Sequence, residues 1–172
     1  MKKINKKGFT IIEIIAVTVL LAILILLAVF AIIPQIKKSR INAFGDEVLN
    51  YANGAETKYV ADGLDSEYGD LPVNGICFST SELKKEYVKT EKDYKGIVIL
   101  KADVGSQKLK RYVYLASDKY VYNSTNDVNE GLTGSNHLIN INKNDIIEGN
   151  ENDLTFKTCC EYYKSLDSNY DC

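Results

Sequence analysis

The sequence predicts an α+β protein in which one long N-terminal helix packs against an antiparallel β-meander. Three observations carry this prediction. Residues 9–33 are apolar except for Thr10, Glu13 and Thr18. Beyond them, apolar side chains recur at steps of three or four as far as Tyr59, which is helical spacing. Residues 94–122 then hold three short strand patterns separated by turn residues.

The apolar segment, residues 9–33, is long enough to cross a bilayer, for which about 20 residues suffice. Four lysines precede it, at positions 2, 3, 6 and 7. The positive-inside rule therefore predicts a cytoplasmic N-terminus, with the rest of the chain outside. Without residues 1–8 the chain keeps 17 of its 21 basic residues against 23 acidic ones. An acidic body of this kind does not indicate nucleic acid as a partner.

Two common explanations of an apolar N-terminus fit poorly. A secretory signal has an apolar core of about 7–15 residues followed by a small-residue cleavage site, whereas this run is longer and ends at Ile33 and Pro34. A plain membrane anchor explains the length and the charge but gives no use to Glu13. A carboxylate at the centre of a membrane helix costs about 2.5–3.5 kcal/mol on insertion scales, and such residues are usually functional.

A third explanation accounts for every feature. Residues 6–15 read Lys-Lys-Gly-Phe-Thr-Ile-Ile-Glu-Ile-Ile, and this stretch closely resembles the type IV prepilin motif. The resemblance implies that prepilin peptidase removes a basic leader, residues 1–8, by cutting between Gly8 and Phe9. It also implies N-methylation of Phe9 and a role for Glu13 in assembly. Pairing of Glu13 with the Phe9 amine of a neighbouring subunit would favour one register, because a shifted neighbour leaves a charge unpaired.

The resemblance implies a pilin fold and a structural, non-enzymatic role as a major or minor subunit of a bacterial type IV pilus, without a cofactor. The implied partners are other pilin subunits, in a homopolymer or mixed filament, prepilin peptidase, an inner-membrane assembly platform, and membrane lipid before assembly. The subunit would be a single-pass membrane protein first and part of an extracellular filament afterwards. Two alternatives stay open: a pseudopilin of a type II secretion or competence system, and a membrane-anchored extracellular binding module that never polymerises.

The long helix is expected to run from Phe9 to about Asp62. Its first half, residues 9–33, would lie in the membrane or filament core, and its second half, residues 34–62, is amphipathic. Pro34 follows the apolar run and either kinks the helix or ends it. It lies further along the helix than the proline of many type IVa pilins, the branch with a short leader. Two separate helices broken at Pro34 are the alternative. The apolar face of the second half consists of Ile41, Phe44, Val48, Ala52, Ala55 and Tyr59.

Residues 63–172 are predicted to form the globular head. Residues 79–82 form a capping-box pattern, Ser-Thr-Ser-Glu, before a short helix at residues 83–88. Strands are expected at residues 94–104, 109–116 and 119–122, with turns at Gly105-Ser106 and Ser117-Asp118. Residues 123–153 indicate an elaborated loop region with one further strand.

Four cysteines in a domain outside the cytoplasm favour two disulfides. They are Cys77, Cys159, Cys160 and Cys172. Neighbouring cysteines rarely bond to each other, because the resulting ring is strained. One of Cys159 and Cys160 should therefore pair with Cys172 and the other with Cys77, and the sequence leaves both choices open. Pilins often close a C-terminal loop with such a bridge.

No metal site is predicted. The cysteines form no CxxC pair and His137 is the one histidine, which disfavours zinc. Residues 140–151 loosely resemble a calcium loop, but Asp145 stands where the loop needs its glycine. An exposed polar loop is the simpler interpretation. The sequence also contains no nucleophile paired with a base, which disfavours an enzyme.

Overall fold

The computed structural model describes residues 10–62, 74–103, 108–125 and 143–172. The chain forms two compact units, residues 1–40 and residues 41–172. Gly8, Phe9, the predicted turn at Gly105-Ser106 and the segment around His137 lie outside the described residues.

Helix α1 spans Ile11–Ala61, 51 residues, with Pro34 inside it. The expectation of two helices broken at Pro34, and that of a helix ending there, are therefore wrong. Proline removes only its own N–H from the ladder, while the helical residues on both sides keep their hydrogen bonds. A bend at Pro34 stays a prediction.

The head contains a five-stranded antiparallel sheet whose strands are ordered as in the sequence. Each strand pairs with the next along the chain. Strands β2 and β3 are the longest, with Ile99 opposite Tyr112 at the middle of their pairing. The strands are β1 Ile76–Ser79, β2 Lys95–Asp103, β3 Lys108–Ala116, β4 Tyr120–Asn123 and β5 Ile146–Glu148.

The sheet confirms the predicted meander and enlarges it. Strands β2, β3 and β4 match the three predicted strands closely. Strand β5 lies in the region for which one further strand was expected. Strand β1 was not predicted, because its four residues, Ile-Cys-Phe-Ser, are too few to show a period of two.

Two short helices accompany the sheet. Helix α2 spans Thr80–Glu86, and its N-cap, Ser79, accepts a hydrogen bond through Oγ from the backbone N–H of Glu82 at 3.2 Å. This confirms the predicted cap at Ser79, but the helix begins at Thr80, three residues before the predicted start at Leu83. Helix α3 spans Cys159–Leu166 and is capped in the same way by Thr158.

The main core lies between one face of the sheet and the second half of α1. Side chains alternate between the two faces of a strand, so Val98 and Leu100 of β2 point into this core. They meet the predicted apolar face of α1, which is buried except for the half-buried Ile41. Tyr51, not predicted on that face, is fully buried beside it.

Within this unit Arg111 links β3 to α1. Its side chain is 7% exposed, and Nη1 donates to Glu56 Oε2 at 2.7 Å and to Asn53 Oδ1 at 2.8 Å. A charge-assisted pair with short bonds has a narrow geometric tolerance. Arg111 therefore fixes the position along α1 at which β3 packs.

We expect Gly96→Ala to destabilise the head strongly and Gly45→Ala to leave it unharmed. Gly96 has φ +138°, and an added Cβ would overlap the backbone of Tyr114 on β3. Strain and overlap together should lower the free energy of unfolding by about 2–3 kcal/mol or more. At Gly45, inside α1, a Cβ meets only Ile146 Cδ1 at 3.5 Å, so alanine should gain about 0.5–1 kcal/mol of helix propensity.

Denaturant unfolding of the full chain in detergent micelles, followed by near-ultraviolet circular dichroism of the tyrosines, measures both effects. Equal stability of the two variants would contradict the assignment of Gly96 to a backbone conformation reserved for glycine.

Candidate functional site

The first turn of α1 positions Glu13 through a reciprocal capping box. Thr10 is the residue before the helix, and Glu13 is the third residue inside it. The Glu13 N–H donates to Thr10 Oγ1 at 3.4 Å. In return Glu13 Oε2 accepts from the Thr10 N–H at 3.3 Å and from the Thr10 hydroxyl at 3.2 Å. This is the pairing of a capping threonine with a glutamate three positions later.

The geometry suits a carboxylate at this position for two reasons. The partial positive charge at a helix N-terminus stabilises a negative group in the first turn. Both bonds that Glu13 accepts use Oε2, so within the described residues Oε1 makes no hydrogen bond. The side chain is exposed, and Oε1 is available to a further donor.

The apolar part of α1 is exposed on every side. All residues from 10 to 40 are exposed, and large side chains such as Leu20 and Phe30 are 60% and 73% exposed. Among the described residues α1 is the one helix long and apolar enough to cross a membrane, judged by length and composition. Soluble monomers rarely expose contiguous apolar patches above a few hundred Å². This surface therefore requires an apolar environment.

Comparison with known proteins bears on this same segment. Residues 3–29 match the family model described as the prokaryotic N-terminal methylation motif. The chain carries the type IV prepilin signature. No curated protein and no solved structure matches the chain. The long N-terminal helix followed by an antiparallel sheet is the pilin-like α+β architecture that the resemblance implied.

The matched residues include Gly8, Phe9 and Glu13, but the structure describes only the last of these. It places Glu13 in the capping box and Pro34 within the helix. Cleavage after Gly8, methylation of Phe9 and the assembly role of Glu13 stay predictions. The prepilin-like character of the chain does not depend on them, because the motif and the helix both support it.

The four cysteines form two disulfides, Cys77–Cys159 and Cys160–Cys172. This is one of the two pairings that the sequence left open. The first bridge joins β1 to the start of α3, and the second closes the C-terminal residues onto α3. Together they hold residues 154–172 against the sheet face opposite α1 (the C-terminal clasp).

The clasp covers a second core. Ile97 and Ile99 of β2 are buried there against Tyr162, with Phe156 packed beside them. The rings of Phe156 and Tyr162 meet edge to face at 5.5 Å between centroids. Such pairs contribute about 0.5–1.5 kcal/mol beyond the area they bury.

Hydrogen bonds from tyrosines tie the clasp to the start of β1. Tyr162 OH donates to the Asn74 carbonyl at 2.6 Å. Tyr163 OH accepts from the Cys77 N–H at 3.1 Å. Burial raises the pKa of both phenols, so they stay protonated and able to donate at neutral pH.

The sequence interpretation predicted a C-terminal region tied back by disulfides, but it missed that this region covers the second face of the sheet, and it missed Arg111. One signal for the clasp was present: residues 97–100 read Ile-Val-Ile-Leu without alternation, which is typical of a strand covered on both faces. The signal for Arg111 was weaker. It is one of only two arginines in the chain and stands within a strand pattern, but neither fact indicates that its side chain is buried or what it contacts. Neither feature supplies chemistry, and among the described residues no three potential ligands converge on a metal site.

Removing the long-range disulfide should cost more stability than removing the C-terminal one. Cys77–Cys159 spans 82 residues, and the chain-entropy model assigns such a loop roughly 4–5 kcal/mol. Cys160–Cys172 spans 12 residues and corresponds to roughly 3 kcal/mol. We expect paired alanine substitutions at Cys77 and Cys159 to lower the free energy of unfolding more than those at Cys160 and Cys172.

Urea unfolding of both double variants under non-reducing conditions makes the comparison, since each removes two thiols and one bridge. A larger loss for the Cys160/Cys172 variant would show that the clasp is held chiefly by its own C-terminal loop.

Proposed function

We propose that the chain is a structural subunit, major or minor, of a bacterial type IV pilus. It is inserted in the membrane as a precursor, processed by prepilin peptidase at Gly8-Phe9, methylated at Phe9 and assembled through α1. The head faces outward before assembly and lies on the filament surface afterwards. Its partners are further pilin subunits and the inner-membrane assembly platform.

The observation that supports this proposal is the exposed apolar surface of residues 11–36, which overlaps the methylation motif matched at residues 3–29. A transmembrane helix and a helix in a filament core both remove such a surface from water. The same residues can therefore serve first in lipid and later among copies of themselves. Proteins with this motif are in general structural subunits. The head has a second apolar core on the other face of its sheet, and a disulfide holds the C-terminal region over it.

Glu13 is the proposed assembly residue. Cleavage would place a charged amine on Phe9, four residues before Glu13 in the chain. In an apolar bundle an unpaired charge is costly, and pairing with a neighbour's amine offsets that cost at one axial position only. The available Oε1 of Glu13 fits this role, because the capping bonds to Thr10 use the other oxygen.

The choice of a pilus over a pseudopilus rests on the head. The same N-terminal motif serves subunits of secretion and competence systems, so α1 does not separate them. The bridge Cys160–Cys172, which closes the last residues onto α3, supports a true pilin.

We expect Glu13→Gln to abolish filaments while leaving α1 capped. Glutamine can accept the Thr10 bonds as glutamate does, but it carries no charge for a neighbour's amine. Glu13→Ala removes both the charge and the cap. Sheared filaments, measured by electron microscopy and immunoblotting in a bacterium that expresses the assembly proteins, should be lost in both variants, with the chain still membrane-integrated.

Asp46→Asn is the matched control, because Asp46 is an exposed carboxylate on the same helix and loses the same charge. It should assemble normally. Normal filaments from Glu13→Gln, with loss only in Glu13→Ala, would assign Glu13 to helix capping and remove the charge-pairing mechanism. Normal filaments from both would remove the assembly role of Glu13. Absence of filaments from the parent itself, with the chain membrane-integrated, would argue for an anchored binding module.

Gly8→Leu should block processing, whereas Gly8→Ala should retain part of it. A small residue before the scissile bond avoids a side-chain clash and disfavours helix at the cut. Intact-mass spectrometry of membrane-extracted protein should show the full precursor for Gly8→Leu. The parent should show a chain that begins at a methylated Phe9. An unmodified precursor in the parent, with the peptidase present, would contradict the proposed maturation.

A further inference from the structure

A second basic cluster follows the apolar part of α1. Lys37, Lys38 and Arg40 place three cations within four positions, and all three side chains are exposed (the basic collar). The leader lysines are sufficient to predict the orientation of the segment, so the orientation does not explain the collar. By the positive-inside rule, cations on the outer side of a membrane span are unfavourable. A specific use would explain why they stand there.

The spacing along α1 indicates where the collar lies in a membrane. Between Glu13 and Lys37 there are 23 helical residues, and Thr18 and Gln35 are the only polar ones. At 1.5 Å per residue they cover about 35 Å, compared with about 30 Å of hydrocarbon in a bilayer. When the apolar part spans the bilayer, Glu13 lies near the inner headgroups and the collar near the outer ones.

The angular distribution of the collar favours headgroups over a protein partner. Successive helical residues are rotated by about 100°, so Lys37, Lys38 and Arg40 spread over an arc of about 160° around α1. A packed helix or a protein surface covers a narrower stripe. Lipid headgroups surround a membrane helix on all sides, and long basic side chains reach toward them from its ends.

We propose that the basic collar binds the phosphate groups of anionic phospholipids in the outer leaflet while the subunit is stored in the membrane. Arg40 can hold a phosphate with two parallel N–H bonds, and the lysines act as point charges. Glu13 at one end and the collar at the other then fix the depth of the helix. The inference rests on the proposed membrane-anchored function and adds a lipid class and a set of residues to it.

Lipid selectivity of the full chain tests the inference. The protein is reconstituted in phosphatidylcholine vesicles that contain a trace of spin-labelled phosphatidylglycerol or spin-labelled phosphatidylcholine. Electron paramagnetic resonance then gives the fraction of each lipid held at the protein surface. We expect the parent to prefer phosphatidylglycerol, and the preference to weaken in 1 M salt. The triple variant Lys37→Gln, Lys38→Gln, Arg40→Gln should reduce it about threefold or more.

The matched control removes three exposed lysines of the head, by Lys89→Gln, Lys119→Gln and Lys164→Gln. It changes the net charge equally and should keep the parent's preference. The leader lysines are present in all three chains, so they do not affect the comparison. Glutamine favours helix nearly as well as lysine, and circular dichroism verifies that α1 persists.

The outcomes separate the inference from the function on which it rests. Failure of the parent to float with vesicles after alkaline extraction would overturn membrane anchoring and this inference with it. Integration with no loss of preference in the triple variant would overturn the inference alone. The inference would also fall if that variant kept its preference but formed no filaments, because the collar would then contact another copy of the chain.

Discussion

The apolar surface of α1 constrains the whole molecule. Two parts of this one helix must be shielded from water by different means. From Ile11 to Ile36 apolar side chains stand on all sides and are exposed. From Phe44 to Tyr59 they form one face, and that face is buried by the sheet. The second part supplies one side of the main core of the head. The first part has no covering within the described residues, so its stability depends on a solvent or a partner that the head does not provide. The N-terminal methylation motif, residues 3–29, includes most of that uncovered part.

Polar contacts at the edges of the apolar cores fix the positions at which α1 and the clasp pack on the sheet. The Arg111–Glu56 pair is an example, because Arg111 is buried while Glu56 is half-exposed. Such a pair contributes little net stability once desolvation is counted, but a buried guanidinium that loses its partner is costly. Apolar packing alone would tolerate a shift of α1 by one turn, since apolar side chains recur at that spacing. The pair does not tolerate it. On the opposite face the Cys77–Cys159 bridge and the Tyr162 hydrogen bond do the same for the clasp.

Local signals allowed the sequence to predict much of this fold. The length of α1, the three central strands and the Ser79 cap each rest on a pattern within about ten residues. Strand β1 forms by pairing with β2, and its four residues are too few to show a period. The clasp depends on contacts between residues more than 80 positions apart. The apolar run of residues 97–100 indicates a second covered face but not which segment covers it. The disulfide pairing was undecided for the same reason: Cys159 and Cys160 differ only in which side of α3 they occupy. The continuous helix through Pro34 was the main expectation and is confirmed, while the break at Pro34 was the alternative that a proline always raises. Of the candidate site, the sequence predicted the importance of Glu13 but not its bonds to Thr10.

Those bonds change the physical description of Glu13. A carboxylate considered alone in hydrocarbon must either be neutralised or be expelled. Here it lies in the first turn of α1, accepts two hydrogen bonds from Thr10 and stands at the end of a 23-residue stretch that already exceeds the hydrocarbon thickness. Its cost in the membrane-stored subunit is therefore low, and insertion does not require a partner. In a bundle of such helices the inner headgroups are gone and the neighbours are apolar, so the same carboxylate gains a need for a cation. Because the cap occupies Oε2, pairing through Oε1 would not uncap the helix. Under the proposed function, a charge that the bilayer tolerates and that the helix bundle must pair would make assembly selective without destabilising the membrane-inserted subunit.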